Sequence, residues 1–252
     1  MIIITGGTHG IGEAAAAACL REGHQVLITG RDAAAGQAAL ADLPEAVFLR
    51  ANASVEEDCR ATVALALVLG KGRIKGLVNN AGIGERHVFR DTTVADWDRI
   101  QSVNVRSTYL MTRLALDGLI AAGGGAVVNV ASIAGQVGEE GLAIYVASKA
   151  AIIGLTQALA LELGHLIRFN AVCPGQIGTR MMQAVRDDDR RRQTMELRIP
   201  AGRMGRPQEV GDVITWLLSD RARYVNGTTI TVDGGETAGL RTPRQLPPDP
   251  RL

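Results

Sequence analysis

Tyr145 and Lys149 lie four positions apart in the run Ala143-Ile144-Tyr145-Val146-Ala147-Ser148-Lys149. On a helix that spacing puts both side chains on one face. A phenol with its ordinary pKa of about 10 is a poor base at neutral pH. A neighbouring ammonium group favours the phenolate. Such a pair could take a proton from a hydroxyl group or give one to a carbonyl oxygen. Ser132, in Val130-Ala131-Ser132-Ile133-Ala134-Gly135, follows an apolar run. Its hydroxyl could hydrogen-bond a substrate oxygen and stabilise charge developing there. Asn104 stands within Val103-Asn104-Val105-Arg106. Taken singly, each residue has a plainer reading: a helix pair, a helix cap after a strand, a surface asparagine.

A second constellation lies near the N-terminus. Ile2-Ile3-Ile4 runs into Thr5-Gly6-Gly7-Thr8-His9-Gly10-Ile11-Gly12 and then an alanine-rich stretch. Glycine permits a tight turn and close backbone approach to a diphosphate. The N-terminus of the following helix offers free N–H groups and a favourable dipole to an anion. The spacing is T-G-x-x-x-G-x-G, not the G-x-G-x-x-G dinucleotide fingerprint. A turn that only tightens a strand–helix junction would look similar.

Holding these groups together requires a scaffold, and apolar β-rich runs alternate along the chain with alanine- and leucine-rich helical runs. The pattern predicts strands near 2–5, 25–29, 46–50, 75–79, 126–131, 167–172 and 228–232, and helices over 11–22, 33–42, 55–69, 93–121, 145–163 and 207–218. Nearly all-apolar strands are buried on both faces, as in a parallel sheet. The expected fold is α/β: a single Rossmann-type, doubly wound domain over residues 1–235 with a seven-stranded, mostly parallel sheet. Right-handed crossovers then gather the strand C-termini on one ligand-binding edge. Two segments break the alternation. Residues 178–206 form a long insertion, expected to act as a substrate lid, and 236–252 form a C-terminal tail, expected to order only against a partner subunit.

Composition narrows the class of partner. The formal net charge of the 252 residues is +1, and only 3% are aromatic. Neither a nucleic-acid backbone nor an acidic membrane surface finds a basic field here, and base-stacking platforms are scarce. Cys19, Cys59 and Cys173 show no metal-like spacing, so no metal site is expected. Sparse cysteines fit a reduced compartment. No charged leader precedes Ile2, and no apolar stretch is read as long enough to span a bilayer, so a cytoplasmic enzyme is expected.

The glycine loop, Asn79-Asn80-Ala81-Gly82 after the fourth strand, Asn104, Ser132, Tyr145 and Lys149 occur in one order on the expected elements. Together they resemble the classical short-chain dehydrogenase/reductase family, from Ile2 to Gly235. The resemblance implies an oxidoreductase that moves hydride between a nicotinamide cofactor and an alcohol or carbonyl group. It makes Tyr145 the proton-transfer group, with Lys149 tuning it. It makes Ser132, thirteen positions before the tyrosine, the group that orients the substrate oxygen. Asn104 would hold a water linking Lys149 to solvent. For the cofactor it implicates Gly6, Thr8, His9, Gly10, Ile11 and Gly12 of the loop, and Asn80, Ala81 and Gly82 of the N-N-A-G run. Tyr145 and Lys149 also face the cofactor in such proteins. Pro174-Gly175-Gln176-Ile177-Gly178-Thr179 matches a P-G-x-I-x-T segment, in which Pro174, Gly175, Ile177 and Thr179 would meet the nicotinamide side. Val232-Asp233-Gly234-Gly235 reads mainly as a turn that ends the last strand.

Cofactor choice turns on the end of the second strand, Ile28-Thr29-Gly30-Arg31-Asp32. An acidic side chain there would grip a ribose 2′-hydroxyl and repel a 2′-phosphate. Gly30 takes that place and Arg31 follows, a side chain suited to phosphate. In the resembling family a basic residue here marks NADP preference, and His9 falls where such members often carry a cation. NADP(H) is therefore expected over NAD(H), although a one-residue shift would let Asp32 favour NAD. Asn52-Ala53 replaces the family's usual aspartate; Asn52 either accepts a bond from the adenine amino group through its amide oxygen or simply caps the strand.

The substrate pocket is expected among residues 133–144, the loop after Asn80, Gln176 and the lid, with Glu139, Glu140, Gln136 and His87 as possible contacts or plain solvated loop residues. The Asp/Arg run at 187–192 reads as an exposed helix face with i, i+3 ion pairs. By resemblance the helices at 101–121 and 146–163 would build a homo-oligomer, a tetramer or dimer. The leading reading is an NADP(H)-dependent ketone or aldehyde reductase. An NAD-dependent alcohol or sugar dehydrogenase competes with it, and so does a non-catalytic dinucleotide-binding regulator, which would have no need of a proton-transfer tyrosine. Enoyl reductases usually space the tyrosine and lysine more widely, and sugar epimerases usually have a larger C-terminal domain.

Overall fold

β-branched and aliphatic residues set the sheet. Strand β1 (Ile2–Thr5) is buried at all four positions, and β5 (Ala126–Val130) at all five. The structure, a computed structural model, describes residues 1–240. Among these, β1, β2 (Val26–Gly30), β3 (Val47–Arg50), β4 (Gly76–Asn79), β5, β6 (Arg168–Pro174) and β7 (Thr229–Val232) form one sheet in the order β3-β2-β1-β4-β5-β6-β7. All six pairings are parallel, so the sheet is wholly rather than mostly parallel. The direction of winding reverses between β1 and β4. In an open α/β sheet a ligand crevice lies outside the strand C-termini at such a point.

The helices cover both faces. One apolar core lies between the sheet and the helices α1 (Gly10–Arg21) and α9 (Pro207–Leu218), and the second lies against α3 (Glu56–Leu69), α5 (Ser107–Ala121) and α6 (Ala143–Leu163). The helix α2 (Ala33–Asp42) packs near the β2–β3 edge. The expected helix over 93–121 is divided: α4 (Val94–Gln101) passes through a π-helical turn at Ser102–Arg106 into α5. The wider turn sits at Asn104, whose side chain is drawn inward to other partners described below. A π-bulge of this kind often accompanies a functional site.

At 21 residues and a mean hydropathy of 1.5, α6 is long and apolar enough to cross a bilayer, which corrects the expectation that no such stretch exists. Here it packs on β5 and β6 and carries the buried Lys149. The segment 178–206, expected as a lid, contains two helices, α7 (Gln183–Arg186) and α8 (Asp189–Arg198), and Ile177 bridges in parallel to Gly205 at its root. Arg191 pairs with Asp188 at 3.4 Å and Arg192 with Asp189 at 2.7 Å, both at i, i+3. Beyond β7, Glu236 pairs with Arg198 at 2.8 Å with 5% of its side chain exposed, so the chain just after residue 235 lies against the lid. The rest of the expected tail, 241–252, lies outside the described residues.

The glycine loop depends on where α1 can lie. Ala14, Ala15, Ala16 and Ala18 are buried, and their small side chains let α9 approach closely. At Gly211 of α9, an added Cβ would stand 2.8 Å from the Ala14 carbonyl carbon and 2.9 Å from the Ala15 nitrogen. These are backbone atoms, so the helices would have to move apart. Gly211→Ala is expected to destabilise the protein by about 1–3 kcal/mol, as overpacking does. The check is the midpoint of urea unfolding.

Candidate active site

The sheet edge is stitched at β1 and β4. Asn80 donates from Nδ2 to the carbonyl oxygens of Thr5 (3.1 Å) and Gly6 (2.9 Å). The Asn80 and Ala81 N–H groups both donate to the Thr5 hydroxyl, at 3.0 and 3.1 Å. The N-N-A-G run thereby holds the first turn of the glycine loop. Gly6 (φ 63°) and Gly10 (φ 60°) take the left-handed conformation that favours glycine. At Gly12 a Cβ would meet the Gly6 carbonyl oxygen at 2.3 Å, so the loop closes on itself there. Asn79 reaches the other way. Its amide donates to Thr112 (3.0 Å) and Asn129 (2.8 Å), and Asn129 donates to Thr156 (2.9 Å), a buried polar row linking α5, β4, β5 and α6.

A cavity of about 770 Å³ opens along this edge. From the loop it is lined by His9, Gly10 and Ile11, with Arg31 toward the β2 end. Asn80, Gly82, Ser132, Tyr145 and Lys149 line its middle, and Pro174, Gly175, Gln176, Ile177 and Thr179 line the far side. Thr179 packs over the loop: a Cβ on Gly10 would lie 3.2 Å from its methyl group. Gly6, Thr8, Gly12 and Ala81, also expected at the cofactor, do not line the cavity. Asn52 and Ala53 are not brought in. The Asn52 amide oxygen accepts from the Ser54 N–H (3.2 Å) and hydroxyl (2.9 Å), which occupies both its lone pairs.

Lys149 is the one charged residue in the buried core among the described residues, 4% exposed, with its ammonium donating to the Val130 carbonyl oxygen at 2.8 Å. Burial pulls its pKa down to about 8. The ammonium stands 5.6 Å from the centre of the Tyr145 ring. Burial pushes the Tyr145 phenol up, the Ser132 hydroxyl beside it opposes that rise, and the charge of Glu139 adds to it. Two glycines make the enclosure possible. A Cβ on Gly82 would lie 3.3 Å from both the Lys149 Nζ and the Asn104 Oδ1, and one on Gly135 would lie 2.7 Å from the Lys149 carbonyl carbon.

Asn104 is fully buried and does not line the cavity. Its side chain clamps the loop after β4, accepting from the Ile83 N–H (2.8 Å) and donating to the Ile83 carbonyl (2.9 Å). It also donates to the Ser148 hydroxyl at 2.9 Å, which in turn donates to the Tyr145 carbonyl at 2.7 Å. The asparagine thus steadies the turn of α6 that carries the phenol. Ser132 accepts from the Ala134 N–H at 3.1 Å, a capping bond, while its hydroxyl lies beside the Tyr145 phenol.

The remaining wall joins the apolar Ile133, Leu142, Met181, Met182, Val185 and Met195 with the charged Glu85, Arg86, Glu139 and Arg180. The lid methionines carried no motif, and only packing reveals them. Glu139 lines the cavity and pairs with Arg86 of the facing loop. Glu140 meets Arg86 through its backbone oxygen, and His87 sits against Glu85 at 3.2 Å. Gln136 instead accepts from Thr231 at 3.0 Å, away from the cavity. Asp233 accepts from the Gly235 and Thr237 N–H groups, both at 2.8 Å, closing the turn after β7.

A family model described as enoyl-(acyl carrier protein) reductase matches residues 6–237. 2-(S)-Hydroxypropyl-CoM dehydrogenase 3 of Xanthobacter autotrophicus is 39% identical over 94% of this chain and 96% of its own. The 3-oxoacyl-[acyl-carrier-protein] reductase of Thermotoga maritima is 37% identical over 92% of this chain and 96% of its own. The chain belongs to the short-chain dehydrogenase/reductase family. A solved structure from Agrobacterium tumefaciens, assigned as a gluconate dehydrogenase, superposes with a TM-score of 0.90 at 31% identity, covering 95% of this chain and 96% of its own. This short-chain protein is therefore an oxidoreductase of alcohol and carbonyl groups that uses an NAD(P) dinucleotide.

The chain's own residues fit that dinucleotide. The helix α1 starts at His9, whose side chain takes no hydrogen bond from the first turn. Its first N–H groups are left without a side-chain cap beside the glycine-lined cavity, the setting an anionic diphosphate requires. Asn80→Ala removes the bonds that hold Thr5 and Gly6. It is expected to weaken binding of ADP-ribose by about tenfold, on the scale of one or two lost hydrogen bonds. Isothermal titration checks this, with a circular dichroism melt as the control for folding.

Proposed function

We propose that this protein is a carbonyl reductase, reversible as an alcohol dehydrogenase, that prefers NADP(H) and acts on a small, largely apolar ketone or secondary alcohol. The observation that carries the reading is the grouping of Ser132, Tyr145 and Lys149 around one cavity; its lining adds aliphatic side chains and three methionines to the charged Glu85, Arg86, Glu139 and Arg180. The bound nicotinamide supplies or receives the hydride at the substrate carbon. Ser132 donates its hydroxyl hydrogen to the substrate oxygen. Tyr145 gives its phenolic proton to that oxygen in reduction and takes it back in oxidation. Lys149, held on Val130, stabilises the phenolate by charge. Asn104 keeps the Tyr145 turn in place, and a water beside it would carry protons between Lys149 and solvent. The four-residue spacing of tyrosine and lysine supports carbonyl chemistry over double-bond reduction.

The cofactor preference rests on the β2 end. Asp32 is occupied: its carboxylate caps α2, accepting from the Ala34 N–H at 2.8 Å and the Ala35 N–H at 3.1 Å. Gly30 has no room for an acidic side chain, since a Cβ there would stand 2.7 Å from the Thr8 methyl group. Arg31 is left to meet a 2′-phosphate. The second reading, an NAD-dependent alcohol dehydrogenase, has in its favour relatives named for dehydrogenation of cyclopentanol and cyclohexanol. A homo-oligomer accords with the exposed Tyr109 and Ile120 of α5 and Leu161 of α6, and a cytoplasmic location with three cysteines that are all free.

Turnover followed at 340 nm over a panel of ketones and alcohols should favour NADPH over NADH. Tyr145→Phe should lower kcat/KM by about 10²–10⁴-fold. NADH preference would establish the second reading, and full activity in the mutant would remove Tyr145 from the chemistry. The pH profile has a definite sign. The phenol and ammonium titrate as a pair. Burial lowers the lysine and raises the phenol, so the lysine charge is the first to be lost as pH rises. Carbonyl reduction should therefore fall as pH increases through about 8, where Lys149 gives up the charge that stabilises the phenolate formed when Tyr145 donates its proton.

A further inference from the structure

Arg50 ends β3 directly beside Gly30, its register partner across the parallel pairing. Its Nε donates to the Arg31 carbonyl oxygen at 3.1 Å, so the guanidinium of one arginine is anchored to the backbone of the other. Both side chains are exposed. Among the described residues neither has a carboxylate partner, and Asp32, next to Arg31 in the chain, is turned away as the α2 cap. The anchor holds the Arg50 guanidinium at the backbone of Arg31, whose own side chain lines the cavity, so a doubly charged anion bound at Arg31 lies within the field of both cations. With Nε used on the backbone, the two terminal nitrogens of Arg50 stay available as donors.

We infer that Arg50 is a second specificity-determining residue, which together with Arg31 grips the 2′-phosphate of the adenosine ribose. The inference rests on the proposed NADP(H) preference and adds a residue from a different strand. Arg31 meets the phosphate from the β2 end. Arg50 both presents a second guanidinium and pins the Arg31 backbone, so its loss costs more than one charge.

The test uses the adenosine half alone, so that binding is read without turnover. Isothermal titration of the full chain compares 2′,5′-ADP, which carries the 2′-phosphate, with 5′-AMP, which lacks it. Wild type should bind 2′,5′-ADP more tightly. Arg50→Gln should lose at least about tenfold in affinity for 2′,5′-ADP, the scale of a charge-assisted contact, with the loss confined to that ligand. Arg50→Lys keeps the charge but cannot anchor Arg31 and present two donors together, so it should recover only part of the loss. A wild-type preference for 2′,5′-ADP that survives intact in Arg50→Gln would overturn the role of Arg50 while leaving the NADP(H) reading standing. Equal loss for both ligands would reduce Arg50 to a structural part. No preference in wild type would remove the NADP(H) reading and this inference together. Circular dichroism melts of each variant keep misfolding from passing as lost affinity.

Discussion

Lys149 keeps its ammonium group 2.8 Å from the Val130 carbonyl oxygen with 4% of the residue exposed. Burying a charge is costly unless it is hydrogen-bonded. Here one strong acceptor comes from the C-terminal end of a central strand, where the carbonyl has no further strand partner to serve. That choice fixes much else. Helix α6 must cross the end of β5 closely enough for the side chain to reach, so Gly135 has to be bare where it meets the Lys149 backbone. The loop after β4 must close the other side, so Gly82 is bare beside Nζ. Enclosure lowers the lysine pKa and raises the tyrosine pKa, because it penalises the charged form of each group.

The catalytic and dinucleotide parts are joined through asparagines. Asn80 ties β4 to the glycine loop, Asn79 and Asn129 bind the sheet to α5 and α6, and Asn104 ties the α4–α5 bulge to Ile83 and Ser148. An amide both donates and accepts, so one side chain can satisfy two backbone groups of a loop that has no strand partner. The reversal of winding between β1 and β4 opens the crevice, and these amides hold its two lips at a constant separation.

The strands and most helices were legible from periodicity, because an all-apolar run in a parallel sheet has few other places to go. The Tyr145–Lys149 pairing was legible for a similar reason: helix geometry alone places i and i+4 together. Other residues were not legible, because their side chains choose between competing partners. Asp32 reads equally as a ribose ligand or a helix cap, and the start of α2 takes it as a cap. Asn52 reads as an adenine acceptor or a strand cap, and Ser54 fills its oxygen. Asn104 reads as a helical surface position until the π turn rotates it inward. The lid methionines and Arg50 belong to no local pattern at all.

By itself the sequence determined the alternation of strand and helix, the glycine turn and the helical spacing of phenol and ammonium. Each is a local consequence of backbone geometry and side-chain type. The tertiary structure alone decided which charges are left without an acid, which oxygens are already taken, and how deeply Lys149 is buried. These depend on atoms brought together from distant parts of the chain, and desolvation and hydrogen-bond saturation exist only once that packing has formed.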